Sequence, residues 1–139
     1  MGKDMISTRT TWQSKLDRVQ EWKVVPGGKR TPGTMLIPTP RQIDSLMREI
    51  PVGAVSSVRL FGQALAKRHG ADITCPLCTG MFVRIAAEAA EEQRRAGEKE
   101  ITPYWRVVDK KGRHNPKWPG GEEGQSALLE DEVRSLLGR

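Results

Sequence analysis

Residues that start and stop helices divide the middle of the chain into short segments with apolar residues at helical spacing. Thr39 followed by Pro40 is typical of an N-cap and a first helical turn, and Pro51 ends the segment that they begin. Ser57 and Gly70 bracket a second segment in the same way. The pattern therefore predicts a mainly α-helical fold.

A long helix is predicted from Cys78 or Thr79 to about Ala96, where Gly97 stops it. Its inner face is expected to carry apolar residues at helical spacing, namely Met81, Phe82, Ile85, Ala86 and Ala89. Its outer face is expected to carry charged residues, namely Arg84, Glu88, Glu91 and Arg95.

Both ends of the chain are also predicted to be helical. Thr11 can cap a helix that runs to about Trp22. The last helix begins at Glu122 and Glu123, whose charges suit the positive end of a helix dipole. It is expected to be buried through its apolar residues, namely Leu128, Leu129, Val133, Leu136 and Leu137.

Two segments are predicted not to be helical. Residues 23–38 are basic and rich in Gly and Pro, which indicates either a plain linker or an arm that follows phosphates. Residues 105–108 read as a strand or extended run, and Asp109–Gly112 reads as a tight turn, so together they predict a short wing-like hairpin. We therefore divide the chain into an N-terminal helix and arm, 1–38, and a second domain, 39–139.

Composition narrows the classes of function. No apolar run is long enough for a membrane span, and the first residues lack the apolar stretch of a secretory signal, so we expect a cytoplasmic protein. Residues 41–118 carry fourteen basic and nine acidic residues, whereas residues 119–139 carry two and five. This uneven charge suits a polyanion on one face, although a merely basic protein has the same balance.

A strand-like run, Thr102–Val108, precedes Gly120-Gly121 and then Leu128-Leu129 with Glu132. This order resembles the active-site frame of the O6-alkylguanine-DNA alkyltransferases. Ile50-Pro51-x-Gly53-x-Val55 resembles the entry to the family's helix-turn-helix. Over roughly residues 36–137, the resemblance implies a winged-helix-like helical domain with a helix-turn-helix, a short β-hairpin and double-stranded DNA as partner. It also implies a nucleoid-associated location.

The family reads Pro-Cys-His-Arg-Val where this chain reads Pro-Tyr-Trp-Arg-Val at 103–107. The resemblance puts Tyr104 at the position of the nucleophile, Trp105 at that of its base, and Glu132 at that of the acid that orients the base. A phenol with a pKa near 10 is a poor methyl acceptor at neutral pH, and an indole cannot take its proton. The chain is thus similar to alkyltransferase-like proteins, which bind alkylated DNA and pass the lesion to repair proteins. We expect a monomer that needs no cofactor.

The resemblance also implies which residues meet the DNA. A pocket for a flipped O6-alkylguanine is expected to be formed by Tyr104, Trp105, Val107, Trp118, Gly120 and Gly121. Contacts to the duplex are expected from Ser57, Arg59, Arg84, Lys110, Lys111 and Arg113, with Arg84 entering the base stack. Two alternatives stay open: that each ring is part of the core, and that Arg84 is an ordinary solvated residue. Arg106 is expected to be structural.

The only cysteines form a Cys-x-x-Cys motif, Cys75 and Cys78. A structural zinc site usually needs four ligands, so we expect no metal here. A buried pair is the default interpretation. A cysteine at a helix N-terminus has a lowered thiol pKa, however, which would suit a redox role or an accessory nucleophile. The alternative function is therefore a divergent DNA-repair enzyme, either a methyltransferase that uses Cys75 or Cys78 or one that runs other chemistry on a flipped base.

Overall fold

The computed structural model describes residues 11–18, 21–30 and 32–138. Within these ranges the fold is mainly helical, as predicted, with one small three-stranded sheet. The helices are α1 (Trp12–Arg18), α2 (Pro40–Arg48), α3 (Val58–His69), α4 (Pro76–Arg95) and α5 (Gly121–Leu137). The strands are β1 (Lys23–Pro26), β2 (Thr34–Ile37) and β3 (Ile73–Thr74). No helix of this part of the chain is long and apolar enough to cross a membrane.

Helices α2 and α3 begin where the sequence predicts. The Thr39 hydroxyl accepts a hydrogen bond from the Gln42 amide at 3.1 Å, and the Gln42 side chain accepts one from the Thr39 amide at 3.0 Å. This reciprocal pair is a capping box. Ser57 caps α3 through the Leu60 amide at 3.2 Å, and Gly70 ends α3 in the left-handed region at φ 68°.

Helix α4 forms the centre of the core, because α1, α2 and α3 all pack against it. Its buried stripe consists mostly of small residues, namely Thr79, Val83, Ala86, Ala87 and Ala90. Small side chains let neighbouring helices approach closely. Met81 was predicted to face inward but is 52% exposed, because it lies on the opposite side of the helix from Thr79.

The sheet corrects the prediction of an irregular arm at 23–38. Strands β1 and β2 pair antiparallel, with Lys23 opposite Ile37, and β2 pairs parallel with β3, with Leu36 opposite Thr74. The signal was present in the sequence, because two short apolar runs flank a loop that contains Gly27, Gly28 and Gly33. The stretch at 105–108 is not a strand. Residues Tyr104–Arg106 form one 3-10 turn, and the predicted tight turn follows at Asp109–Gly112, closed by the Gly112 amide on the Asp109 carbonyl at 2.9 Å.

The N-terminal helix packs on the same core as the rest of the described chain. Leu16 is fully buried in one cluster with Ile43 and Leu65. The amides of Trp12 and Gln13 donate to the Glu92 carboxylate at 2.9 and 3.0 Å, which places a negative charge at the start of α1. The division of the chain at residue 38 stays a prediction, and residues 1–10 lie outside the described part.

Helix α5 is not buried through the apolar residues that the sequence predicted. Leu128, Val133 and Leu136 are each about 40% exposed, and Leu137 is 82% exposed. The buried residue of α5 is instead Gln125. The helix rests mainly on the 3-10 turn, through polar contacts, so its apolar side chains meet few neighbours.

Candidate functional site

The segment that the family resemblance singles out is anchored at both ends. Before it, the Thr102 hydroxyl donates to the Asp44 carboxylate of α2 at 2.5 Å, in a fully buried contact. After it, Val107 forms an isolated parallel bridge with Ser56, at the entry to α3. The 3-10 turn between these anchors is therefore fixed relative to both α2 and α3.

Tyr104 points into the core and not into an open pocket. It is 3% exposed, and its hydroxyl donates to the Glu91 carboxylate of α4 at 2.9 Å. Burial, and then the neighbouring Glu91, raise the pKa of the Tyr104 phenol, so it stays protonated at neutral pH. Its ring lies edge-on to that of Trp105, with 5.2 Å between the centroids.

Glu91 was predicted to face solvent but is buried. Its carboxylate accepts hydrogen bonds from the Arg94 guanidinium, the shortest at 2.8 Å, as well as the one from Tyr104. The bond from Arg94 lowers the pKa of Glu91 despite burial, and the bond from Tyr104 adds to this effect. The sequence could not reveal this, because Glu91 becomes buried only when residues 102–106 return over the end of α4.

Trp105 and Glu132, the residues at the positions of the family's base and its orienting acid, lie in contact. The indole Nε1–H of Trp105 donates to the Glu132 carboxylate at 2.9 Å. The Arg106 guanidinium donates to the same carboxylate at 2.6 Å, and the Gly53 amide does so at 3.1 Å. Burial alone would raise the pKa of Glu132, but these hydrogen bonds outweigh burial and lower it.

Arg106 connects three parts of the chain. Besides Glu132 of α5, it donates through Nη1 to the Ile50 carbonyl at 2.6 Å, at the end of α2. Both side chains of the Arg106–Glu132 pair are at most 15% exposed. Arg106 therefore makes structural contacts, which fits the role that the resemblance implies for it.

A cleft of about 1440 Å³ opens beside this anchored turn, between α3, the start of α4 and residues 107–118. Six of the predicted site residues line it, namely Ser57, Arg59, Val107, Lys110, Arg113 and Trp118. The other predicted site residues are not part of its lining, namely Arg84, Tyr104, Trp105, Lys111, Gly120 and Gly121. Of the three rings that we expected around one cleft, only Trp118 lines it, whereas Tyr104 and Trp105 pack against each other outside its lining.

The rim of the cleft is mainly basic. Five basic side chains line it, namely Arg59, Lys67, Lys110, Arg113 and Lys117, against the acidic Asp72, Asp109 and Glu122. The Asp109 carboxylate accepts the backbone amides of Arg113 at 2.9 Å and Lys111 at 2.8 Å, and the amide of Arg113 contributes most to the lowered pKa of Asp109. The turn therefore holds Lys110 and Arg113 at the cleft, with Nε of Arg113 3.6 Å from the Asp109 carboxylate.

The backbone conformation at positions 120 and 121 favours glycine at both. Gly120 and Gly121 have φ of 82° and 62°, in the left-handed region that favours glycine. The Trp118 carbonyl accepts the Gly121 amide at 3.0 Å, so this bend sets the position of Trp118 at the start of α5. Trp118 itself is 7% exposed and belongs to the buried core cluster, so only a small part of its surface faces the cleft.

His114 is a cleft residue that the sequence reasoning missed. Its Nε2 lies 2.8 Å from the Trp105 carbonyl, which can only accept, so Nε2 carries a proton. Its Nδ1 lies 3.2 Å from the Ser126 hydroxyl. His114 thereby ties the cleft wall to the 3-10 turn and to α5. An isolated histidine in a polar run gives no signal of partners nine and twelve residues away.

Arg84 lies on α4 outside the cleft. Its side chain is half exposed, with Nε 3.7 Å from Glu88 and the guanidinium carbon 5.6 Å from the centre of the Trp12 ring. Helix α1 therefore borders the face of α4 that the resemblance assigns to the base stack.

Cys75 and Cys78 are free and half-buried. Cys75 is the N-cap of α4, so this helix begins at Pro76, earlier than predicted. Burial, followed by the hydrogen bond and charge of Cys75, raises the pKa of Cys78 to about 11, which corrects the expected lowering. Among residues 11–18, 21–30 and 32–138, no group of three or more ligating side chains could hold a metal ion.

The site thus consists of a rigidly anchored turn and an adjoining basic-rimmed cleft with one tryptophan in its wall. Comparison of the chain with protein-family models, with curated proteins and with solved structures found no match.

Proposed function

We propose that this protein binds double-stranded DNA and holds a flipped alkylated guanine in the cleft, without transferring the alkyl group. The observation that carries the proposal is the cleft, with its volume of about 1440 Å³, its tryptophan and its five basic side chains. Small-molecule pockets usually measure about 300–1,000 Å³, so this cleft favours a longer ligand such as a nucleic-acid strand. In this proposal α3 and α4 act as a helix-turn-helix, and the Asp109–Gly112 turn takes the place of the wing.

Trp118 is the ring proposed to hold the base. Flipped bases are held by stacking on aromatic side chains and by hydrogen bonds to their edges. The apolar side chains of Val58 and Val107 lie in the same lining and would exclude water from the base. Tyr104 and Trp105 are not proposed to contact the base, since they do not line the cleft and their polar side-chain atoms are bonded to Glu91 and Glu132.

The basic side chains at the rim are proposed to contact phosphates. Such contacts fix the position of a protein on the duplex and make binding depend on salt. Lys67 and Lys117 join the predicted Arg59, Lys110 and Arg113 in this role, because all five line the cleft. We keep the proposal that Arg84 enters the base stack, but the position of Arg84 beside α1 does not support it.

The chemistry of the site favours binding over alkyl transfer. The Tyr104 phenol is buried and protonated, and its neighbour Trp105 donates a hydrogen bond where the family's base would accept a proton. The alternative, a repair enzyme that uses Cys75 or Cys78, gains no support from Cys78, because a thiol with a pKa of about 11 supplies little thiolate at neutral pH. The proposed role therefore ends with passing the lesion to a repair protein.

A binding titration tests the proposal. Fluorescence anisotropy with duplexes that do or do not contain O6-methylguanine should show salt-dependent binding that is tighter for the lesion. Trp118→Ala should weaken binding of the lesion duplex by about 5- to 150-fold, because stacking contributes about 1–3 kcal/mol per base. Lys110→Ala/Arg113→Ala should weaken both duplexes alike and reduce the salt slope by about 0.9 per lost phosphate contact.

Lys23→Ala/Lys99→Ala is the matched control, because it removes the same charge from exposed positions outside the cleft. Equal binding of both duplexes would remove the lesion from the proposal. Absence of binding at low salt would remove DNA binding altogether. A methyl group gained by the protein in intact-mass analysis would favour the enzyme instead.

A further inference from the structure

The Cys-x-x-Cys motif lies between a strand and a helix, at the edge of the cleft. Strand β3 ends at Thr74, Cys75 caps α4, and Cys78 lies in the first turn of α4. Pro76, which lies between the two cysteines, and Thr79, which follows Cys78, both line the cleft. The cysteines themselves are not part of that lining, but the motif adjoins the cleft and neither cysteine is fully buried.

Sγ of Cys75 lies against the backbone of Cys78. The Cys78 amide donates to Sγ of Cys75 at 3.3 Å, so the Cys75 side chain folds back over the first turn of α4. Cys78 is the third residue of α4, so its own side chain starts from the residue whose amide bonds to Cys75. The rise in the pKa of Cys78 has the same origin, because after burial its largest causes are the hydrogen bond and the charge of Cys75.

The backbone around the pair is held from several sides. The Cys75 amide donates to the Leu36 carbonyl of β2 at 2.9 Å, and the Thr79 hydroxyl donates to the Cys75 carbonyl at 2.8 Å. Pro76 fixes the first helical position. These contacts hold the two cysteines in one arrangement, which lowers the entropy lost when a bond forms between them.

We propose that Cys75 and Cys78 form a redox-active dithiol that exchanges with low-molecular-weight disulfides at the edge of the cleft. The Cys75 thiolate attacks one sulfur of the external disulfide, whose S–S bond breaks as a mixed disulfide forms on Cys75. The first leaving thiolate takes up the proton that Cys75 lost. Cys78 then attacks Sγ of Cys75, the mixed disulfide breaks, and the second leaving thiolate takes up the proton from Cys78. Two protein thiols are oxidised to one disulfide, and the external disulfide is reduced to two thiols.

The order of the two attacks follows from the asymmetry of the pair. The thiolate is the attacking species in disulfide exchange. The Cys78 amide points at Sγ of Cys75, where the negative charge of the attacking thiolate develops, whereas the raised pKa of Cys78, about 11, leaves Cys78 less thiolate than an ordinary thiol has. Once Cys75 carries the external group, Cys78 attacks within the molecule at a high effective concentration.

The test uses the full chain, reduced and then exposed to oxidised glutathione, with acid quenching and intact-mass analysis. Wild type should lose two hydrogens and retain no glutathione. Cys78→Ser should trap one glutathione on Cys75, and Cys75→Ser should react at least tenfold more slowly. Failure of wild type to form the internal disulfide, or equal rates for the two single variants, would overturn the proposal.

Cys75 is also a helix cap, so its variant may fold poorly. Limited alkylation of wild type with iodoacetamide, followed by peptide mapping, decides the order without any variant. Labelling of Cys75 at least tenfold faster than Cys78 supports the proposal, and equal labelling contradicts it. The proposal does not depend on DNA binding, because each readout is a covalent change measured without DNA.

Discussion

Two consecutive aromatic residues, Tyr104 and Trp105, each donate a hydrogen bond to a glutamate, but the two glutamates lie on different helices. Tyr104 meets Glu91 of α4 in the core, and Trp105 meets Glu132 of α5 nearer the surface. On the inner side, in the core, Glu91 also forms an ion pair with Arg94, whose side chain is exposed. On the outer side, nearer the surface, Glu132 forms an ion pair with Arg106, whose side chain is mostly buried. The buried group beside Glu132 is therefore a charged guanidinium, whereas the buried group beside Glu91 is a neutral phenol.

The largest expected effect is on the outer side. Glu132→Ala leaves the Arg106 guanidinium without its ion-pair partner in a mostly buried place, so the free energy of unfolding should fall by about 3–5 kcal/mol. Urea denaturation measures this change. Asp131→Ala is the matched control, since its ion pair with Arg134 is exposed and should contribute less than about 1 kcal/mol. Equal losses for the two variants would mean that the outer ion pair is not buried in solution.

A smaller loss is expected on the inner side. Tyr104→Phe removes only the hydroxyl, and the Glu91 carboxylate keeps its hydrogen bonds from Arg94. A hydrogen bond to a charged group contributes about 1.5–3 kcal/mol, which is the expected fall in the free energy of unfolding by urea denaturation. If Tyr104→Phe lost more unfolding free energy than Glu132→Ala, the hydrogen bond to Glu91 would be the more stabilising of the two contacts.

Trp105→Phe should cost less than either change. It removes one donor from Glu132, which keeps its bonds from Arg106 and Gly53. Trp105 is only half-buried, unlike Tyr104, so water can replace part of the lost hydrogen bond and we expect a loss of about 1 kcal/mol in thermal or urea denaturation. Because Trp105 does not line the cleft, binding of the lesion duplex should stay within about twofold of wild type, unlike that of Trp118→Ala. Strong loss of binding by a folded Trp105→Phe protein would mean that this ring contacts the base directly.

The smallest and most gradual expected change is the dependence of stability on pH. The pKa values of Glu91 and Glu132 are lower in the folded state than the ordinary 4.5, so the unfolded chain binds protons first. Their contribution is fully present well above pH 4.5 and is lost as the pH falls through the lowered folded-state values. Urea denaturation between pH 6 and about pH 3 should therefore show falling stability, with a shallower slope for Glu132→Gln. An unchanged slope in that variant would assign the acid sensitivity to other carboxylates.

Only part of the candidate site could be predicted from the sequence. The resemblance pointed to Trp118, Ser57 and Arg59, which the fold brings to one cleft although about sixty residues separate them. It grouped Tyr104 with Trp118, whereas the Tyr104 hydroxyl is bonded within the core. Adjacent residues in a 3-10 turn point in different directions, and a motif read along the sequence does not show which of them reaches solvent.

The sequence by itself determined the elements whose signals act within a few residues. The caps at Thr39 and Ser57 and the stop at Gly70 fix α2 and α3, because each satisfies backbone groups of the same turn. Only the tertiary structure decided the parallel pairing of β2 with β3, the burial of Glu91 and the exposure of Leu136 on α5. These features depend on contacts between distant segments, and helical periodicity indicates which residues share a face but not which neighbour covers that face.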